Sequence, residues 1–179
     1  RTDREKQIKS EGLLFATGRE PYLKDLKLSL AGVLVEDNRI KVDKYNKTNI
    51  DNIFAIGDVT DNLNLTPVAI DEGRAFADRV YGNKMRKVDY KLIPKAIFSQ
   101  PEIATVGLTE EKANEIYGKE NIKICKSKFR PMSHALPKRG SSCFLKLVLQ
   151  ASSEKILGCH MVGEHSSEII QMASIALTM

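Results

Sequence analysis

A short apolar run that ends in a glycine and an aspartate constrains the fold of this chain more than any other feature. Residues 53–56 contain no proline and no glycine, so they predict a buried strand. Gly57 ends this strand and, because it has no side chain, allows a ligand to approach the backbone closely. Asp58 places a carboxylate just beyond the carboxyl end of the strand, where open α/β sheets bind ligands. A carboxylate in that position can accept hydrogen bonds from ligand hydroxyl groups.

A helix is predicted to follow over residues 66–80. Thr66 is a candidate N-cap, Pro67 suits the first helical turn and Gly82 suits the C-terminal end. The free N–H groups and positive dipole end of such a helix favour an electron-rich ligand edge. The positions expected on its apolar face are Val68, Ala69, Phe76, Ala77 and Val80, and those available to face outward are Asp71, Glu72, Arg74, Asp78 and Arg79. From spacing alone, a strand, a turn and a packing helix without a ligand explain this stretch equally well.

Further motifs accompany this stretch in a fixed order. They are ATGR at 16–19, IFAIGDV at 53–59, LTPVA at 65–69, PEIATVGLT at 101–109, FRPM at 129–132, GCHMVG at 158–163 and EIIQ at 168–171. In order and spacing these motifs resemble the successive signatures of the flavin-dependent pyridine nucleotide-disulfide oxidoreductases, and the resemblance extends over nearly the whole chain. The glutathione reductases are the branch of this family that the chain resembles most.

The resemblance implies specific roles for individual residues. Asp58 would hydrogen-bond the ribityl chain of FAD, Gly57 would allow close approach, and the backbone of Leu65 and Thr66 would lie at the pyrimidine edge of the flavin. Arg74 would contact a carboxylate of the substrate, glutathione disulfide, which suits a guanidinium fork.

Two further positions are implied for NADPH, at Gly18 and Ala96. From the residues alone, a strand-ending turn explains Gly18 and a core position explains Ala96 as well as a cofactor contact does. Likewise, an outward arginine such as Arg74 is ordinarily solvated.

The domain organisation follows from the resemblance and from a charged linker at residues 84–89. Residues 1–10 are expected to be the tail of the nicotinamide-binding domain and residues 11–89 the C-terminal part of the FAD-binding central domain. Residues 90–179 are expected to form a dimerisation domain that is truncated at its C-terminus. The predicted fold class is therefore α/β, a remnant of a Rossmann-like domain, followed by an α+β unit of antiparallel sheet plus helices.

Local patterns predict the elements of these domains. A short strand is expected at 13–16, and further strands at 93–98, 103–107, 121–129, 143–149 and 156–162. The last two strands are expected to pair, with the helices on one face of the sheet. Thr109 is expected to cap a helix that reaches residue 117. An amphipathic final helix is expected to carry an apolar stripe of Ile169, Met172, Ala173 and Ala176.

Charge and hydropathy bound the partners. The net charge is +5, but the basic residues are interleaved with acids, which predicts a solvated surface and no nucleic acid partner. No run approaches the ~20 apolar residues of a membrane span, so no membrane partner is expected.

The cysteines and histidines predict neither a metal site nor a catalytic residue in this chain. Cys125, Cys143 and Cys159 are widely spaced, so they are expected to pack as small apolar side chains in a reducing cytoplasm. His134, His160 and His165 lack the His-Pro motif of the family and are interpreted as structural.

The functional prediction rests on the resemblance. The full enzyme would move electrons from NADPH through FAD to an active-site disulfide and on to glutathione disulfide, as a homodimer. Both ends of the chain resemble cuts in a longer one, and without a Gly-rich dinucleotide motif or a close cysteine pair the chain alone is expected to be inactive. Two alternatives stay open: a relative of dihydrolipoamide dehydrogenase or mercuric reductase, and a non-catalytic self-association module.

Overall fold

The structure, a computed structural model, describes residues 9–60, 62–134 and 142–178. It divides into two compact units, Arg1–Val88 and Asp89–Met179. Each unit has its own core of buried apolar side chains.

The first unit combines a small hairpin, several 3-10 turns and one long helix. Strand β1 (Val35–Glu36) pairs antiparallel with β2 (Arg39–Ile40), and helix α1 spans Thr66–Val80. The turn between the strands is made by Asp37 and Asn38, whose φ angles are 47° and 58°. The buried core consists of Val33, Ile40 and Ala55, with Leu23, Leu28, Val42, Ile50, Ile53 and Val59 packed around it.

Two predicted strands of this unit do not form. Residues 13–16 have no regular secondary structure, and the side chains of Leu13, Leu14 and Phe15 are exposed. Residues 53–56 make only an isolated bridge between Lys47 and Phe54, and Ile56 is exposed. The reason is that a strand is stabilised by hydrogen bonds to a neighbouring strand, and an apolar sequence does not supply that neighbour.

Helix α1 begins at Thr66, the residue predicted to cap it, so its N-cap lies one residue earlier than predicted. Leu65 occupies the N-cap position, Thr66 is the first helical residue and Pro67 lies in the first turn. At the other end Tyr81 is the C-cap, and the N–H of Gly82 donates to the carbonyls of Ala77 and Asp78, 3.2 and 3.1 Å away.

The buried face of α1 also differs from the predicted one. It consists of Val68, Glu72 and Ala75, whereas Ala77 and Val80 are exposed. The spacing of this face follows the helical period, so a single acidic residue lies between two apolar ones on the same face. Phe76 is half-buried and makes an edge-to-face contact with Phe54, with the ring centroids 5.0 Å apart.

The second unit is built on one five-stranded antiparallel sheet in the order β3-β4-β7-β6-β5. The strands are β3 (Lys95–Ile97), β4 (Ile103–Gly107), β5 (Ile122–Phe129), β6 (Cys143–Gln150) and β7 (Ile156–Val162). The predicted antiparallel pairing of β6 with β7 is confirmed, with Leu147 opposite Cys159.

Two helices pack on this sheet, α2 (Glu110–Tyr117) and α3 (Ser166–Leu177). The predicted cap of α2 is confirmed, because the Thr109 side chain accepts a hydrogen bond from the N–H of Lys112 at 3.3 Å. The core between α3 and the sheet contains Ala104, Val106, Cys143, Cys159, Met161, Ile170 and Leu177.

The two helices contact opposite faces of the sheet, so the prediction of helices on one face is wrong. Lys146 lies opposite His160 in the pairing of β6 with β7. His160 follows Cys159, whose side chain faces the core, so His160 and Lys146 lie on the other face of the sheet. Lys146 Nζ lies 2.7 Å from Glu110 Oε2 in the first turn of α2. Successive strand residues face opposite ways, so this ion pair places the start of α2 across the sheet from α3.

Helix α3 keeps an exposed apolar stripe. The side chains of Ile169, Met172 and Ile175 are 42%, 73% and 63% exposed. Ala173, predicted in this stripe, packs against the core instead, because it lies on the same side of the helix as Ile170. Among the described residues no helix is both long enough and apolar enough to cross a membrane.

Candidate functional site

Gly57 occupies a turn that favours glycine. Its φ angle is +72°, and a Cβ atom built on it would lie 3.3 Å from the Cβ of Ala69 in α1. Both observations disfavour a side chain, because a positive φ strains L residues and the neighbouring helix leaves little room. The turn therefore brings the backbone at Gly57 close to the first turns of α1.

Asp58 follows in a 3-10 turn that spans Gly57–Val59 and is exposed to solvent. The turn is closed by Thr60, which is fully buried and donates to the Gly57 carbonyl from both its N–H, at 3.0 Å, and its hydroxyl, at 2.8 Å. The turn thus presents a carboxylate at the surface while its own backbone is hydrogen-bonded internally.

Glu72 is the residue that the sequence analysis placed wrongly. Its side chain is 0% exposed, not outward. Its Oε2 accepts the Gly57 N–H at 2.6 Å, and its Oε1 accepts the Asn62 amide at 3.0 Å. The signal that could have revealed it was its spacing from Val68 and Ala75, which puts all three on one helical face.

Arg39 holds the same turn from another direction. Its Nη1 donates to the carbonyl of Thr60 at 2.9 Å and lies 3.4 Å from the carbonyl of Asp58. Arg39 has no local sequence signal for this role, because nothing local links a residue of β2 to a turn nineteen positions further along. The backbone from Gly57 to Thr60 is therefore held by side chains from both α1 and β2.

The start of α1 lies next to this turn and offers hydrogen-bond donors. Leu65, at the N-cap, has no side-chain oxygen that could accept from the first-turn N–H groups. The helix dipole adds positive potential at this end. A carboxylate acceptor at Asp58 and amide donors at the helix start thus lie on neighbouring segments. Together they suit a ligand with both hydroxyl groups and an electron-rich edge.

The remaining predicted site residues lie elsewhere. Arg74 is exposed on α1. Gly18 has a φ angle of +98° in an exposed segment without regular structure. Ala96 lies on β3 opposite Ala104 and packs against the core of the second unit. Their roles toward NADPH and substrate stay predictions.

The histidines and cysteines are held by local contacts. His160 Nε2 lies 3.0 Å from the carbonyl of Leu108, and burial lowers the pKa of this imidazole. His134 Nε2 lies 3.2 Å from Glu164 Oε2. Cys143 and Cys159 are buried free thiols, and burial raises the pKa of Cys159. In the part of the chain that the structure describes, no group of three or more potential metal ligands is found.

Comparison with known proteins identifies the family. Residues 93–179 match the family described as "Pyridine nucleotide-disulphide oxidoreductase, dimerisation domain", and residues 1–73 match "Pyridine nucleotide-disulphide oxidoreductase". The chain belongs to the pyridine nucleotide-disulphide oxidoreductases, as its motifs predicted.

Several similar proteins are named glutathione reductase. The protein from Nostoc sp. is 45% identical over 96% of this chain and 40% of its own length. The chloroplastic/mitochondrial protein from Pisum sativum is 46% identical over 92% of this chain and 30% of its own length. The protein from Burkholderia cepacia is 44% identical over 93% of this chain and 37% of its own length. The chain thus spans less than half of the curated relatives that it matches.

A solved structure shows the same fold. The HOCl-induced flavoprotein disulfide reductase RclA from Escherichia coli is similar with a TM-score of 0.81 and 29% identity, over 90% of this chain and 37% of that one. The family implies FAD and NADPH as cofactors, and the acceptor at Asp58 with the donors at the start of α1 fits a flavin dinucleotide.

Proposed function

We propose that this chain is part of an NADPH-dependent flavoprotein that reduces glutathione disulfide, and that it supplies part of the FAD site and the dimer-forming domain. The observation that carries this proposal is the turn at Gly57 and Asp58, held against the start of α1, in a chain that resembles glutathione reductases over more than nine-tenths of its length. Packing alone does not require an exposed carboxylate on a turn that is held by internal hydrogen bonds, whereas binding of a cofactor accounts for it.

In this function each part of the turn has a separate task. Asp58 accepts hydrogen bonds from the ribityl hydroxyl groups of FAD, and Gly57 leaves room for the cofactor beside the backbone. The first turn of α1, at Leu65 and Thr66, offers N–H groups to the pyrimidine edge, and its dipole stabilises negative charge there. FAD, when bound, supplies the electron transfer between NADPH and a disulfide.

Residues away from the turn serve the substrate and the second cofactor. The exposed guanidinium of Arg74 binds a carboxylate of glutathione disulfide, because its planar fork matches a carboxylate in two hydrogen bonds. The resemblance to the family implies a backbone contact with NADPH for Gly18 and, separately, for Ala96.

The second unit forms a homodimer through its exposed apolar surface. Ile169, Met172 and Ile175 leave a stripe on α3 that a second copy can cover. A reducing cytoplasm is the proposed location, because Cys125, Cys143 and Cys159 are free thiols.

The experiment is a substrate test on the full-length protein that contains this chain. We expect a yellow protein that oxidises NADPH when glutathione disulfide is added, with NADH, dihydrolipoamide and mercuric ion as the competing assays. Turnover of dihydrolipoamide with NAD⁺, or of mercuric ion, would assign the protein to one of those sister enzymes instead. A colourless, dimeric protein without turnover would support the self-association module.

A further inference from the structure

Glu72 is a buried carboxylate that the function described above does not use. It lies in the middle of α1 with 0% of its surface exposed, between the buried Val68 and Ala75. Removing a carboxylate from water is costly unless hydrogen bonds and charges replace the water. An acidic residue at an otherwise apolar position of a helix face therefore needs a reason that packing does not provide.

The contacts of Glu72 point to the turn that carries Asp58. One carboxylate oxygen accepts the N–H of Gly57 at 2.6 Å, and the other accepts the side-chain amide of Asn62 at 3.0 Å. These two partners lie on either side of Asp58 along the chain. A single side chain of α1 is thus bonded to the chain both before and after the proposed cofactor ligand.

The same turn is restrained at its carbonyl groups. Arg39 donates to the carbonyl of Thr60 at 2.9 Å, and Thr60 in turn donates to the carbonyl of Gly57. The N–H at the start of the turn is therefore held by the Glu72 carboxylate from α1, and the carbonyls at its end are held by the Arg39 guanidinium from β2. Such restraints select one backbone conformation of Gly57, which as a glycine can adopt many others besides its φ of +72°.

We infer that Glu72 is a positioning residue for FAD. It holds the Gly57–Asp58 backbone at the start of α1, so that the Asp58 carboxylate and the helix N–H groups can bind the same ligand. The inference rests on the proposed FAD site and adds a residue that does not touch the cofactor. Preorganisation of this kind raises affinity for FAD, because the turn is already ordered before binding and binding energy is not used to order it.

The experiment compares two substitutions of similar size in the full-length flavoprotein. Glu72→Met keeps an unbranched side chain in the cavity but leaves the Gly57 N–H without its carboxylate acceptor. Glu72→Gln keeps a carbonyl oxygen for that N–H, and the Asn62 amide can rotate to accept from the new amide group. Apoprotein is titrated with FAD, and flavin fluorescence quenching gives the dissociation constant.

We expect Glu72→Met to raise the FAD dissociation constant about tenfold or more, and Glu72→Gln to stay within about threefold of the parent. Ala75→Gly serves as the matched control, because it weakens the same buried face of α1 and removes no side-chain hydrogen bond to the turn. If Glu72 acts through Asp58, the loss caused by Glu72→Met shrinks when Asp58 is already alanine.

Two results would overturn the inference. One is a Glu72→Met protein that binds FAD as tightly as the parent. The other is a loss of affinity no larger than that of an Ala75→Gly protein with a similarly lowered unfolding temperature, because Glu72 would then only support the helix. If Asp58→Ala itself leaves the affinity unchanged, the proposed FAD site is wrong, which is a separate outcome from the failure of Glu72 alone.

Discussion

At the scale of single residues, Asp58 carries the proposed cofactor contact most directly. Its carboxylate is exposed on a turn that is held by the hydrogen bonds of Gly57 with Glu72 and Thr60. We expect Asp58→Ala in the full-length protein to weaken FAD binding by about 1.5–3 kcal/mol, roughly ten- to a hundredfold, because a hydrogen bond to a charged group is lost. Flavin occupancy after dialysis and the FAD dissociation constant measure this effect.

The matched control for this substitution is Asp25→Ala, which removes an exposed carboxylate from a 3-10 turn elsewhere in the first unit. It should leave FAD binding unchanged. Equal flavin retention by Asp58→Ala and the parent would remove Asp58 from the site.

At the scale of elements, α3 has two faces with separate tasks. Ile170 is fully buried against the sheet, whereas Met172 is 73% exposed on the stripe proposed for dimerisation. We expect Ile170→Ala to lower the free energy of unfolding by about 2–5 kcal/mol, because it leaves a cavity in the core. Met172→Asp should instead weaken dimerisation and change unfolding of the monomer little, since it charges an exposed apolar surface. Denaturant unfolding and analytical ultracentrifugation distinguish the two.

Ser152→Asp is the control for the second substitution, because it adds the same charge at an exposed position outside α3, in the turn between β6 and β7. Its dimerisation should match that of the parent protein. If Met172→Asp dimerises as well as the Ser152→Asp control, the interface does not include this stripe.

At the scale of the whole molecule, the 179 residues supply only part of the proposed machinery. Asp58 and the start of α1 form part of a cofactor site, and the sequence contains no Gly-x-Gly-x-x-Gly motif and no closely spaced cysteine pair. We expect the isolated chain to hold no stoichiometric FAD and to catalyse no NADPH-dependent reduction of glutathione disulfide. A few hydrogen bonds do not offset the cost of immobilising a large cofactor.

The visible absorption spectrum of the purified chain and an NADPH oxidation assay measure this prediction. The full-length protein assayed under the same conditions is the positive control. A yellow isolated chain with turnover above a buffer blank would refute the expectation that the missing machinery lies outside these residues.

The sequence by itself determined the features whose signals are local. The alternating strands β6 and β7 and the cap at Thr109 could be predicted, because each depends on neighbouring residues or on the period of a single element. The motif around Gly57 and Asp58 could be recognised for the same reason.

Only the tertiary structure decided how distant segments meet. Glu72 looks like an outward charge in the helical sequence, and it is buried because it accepts the N–H of Gly57, fifteen positions away. Residues 53–56 resemble a strand but find no partner strand in the described chain beyond the single bridge at Phe54. Lys146 faces away from α3 and pairs with Glu110 at the start of α2, which places the two helices on opposite faces of the sheet. Whether a carboxylate is buried, whether a run of residues forms a strand and which face of a sheet a helix covers each depend on a partner far along the chain. The local sequence therefore does not specify them.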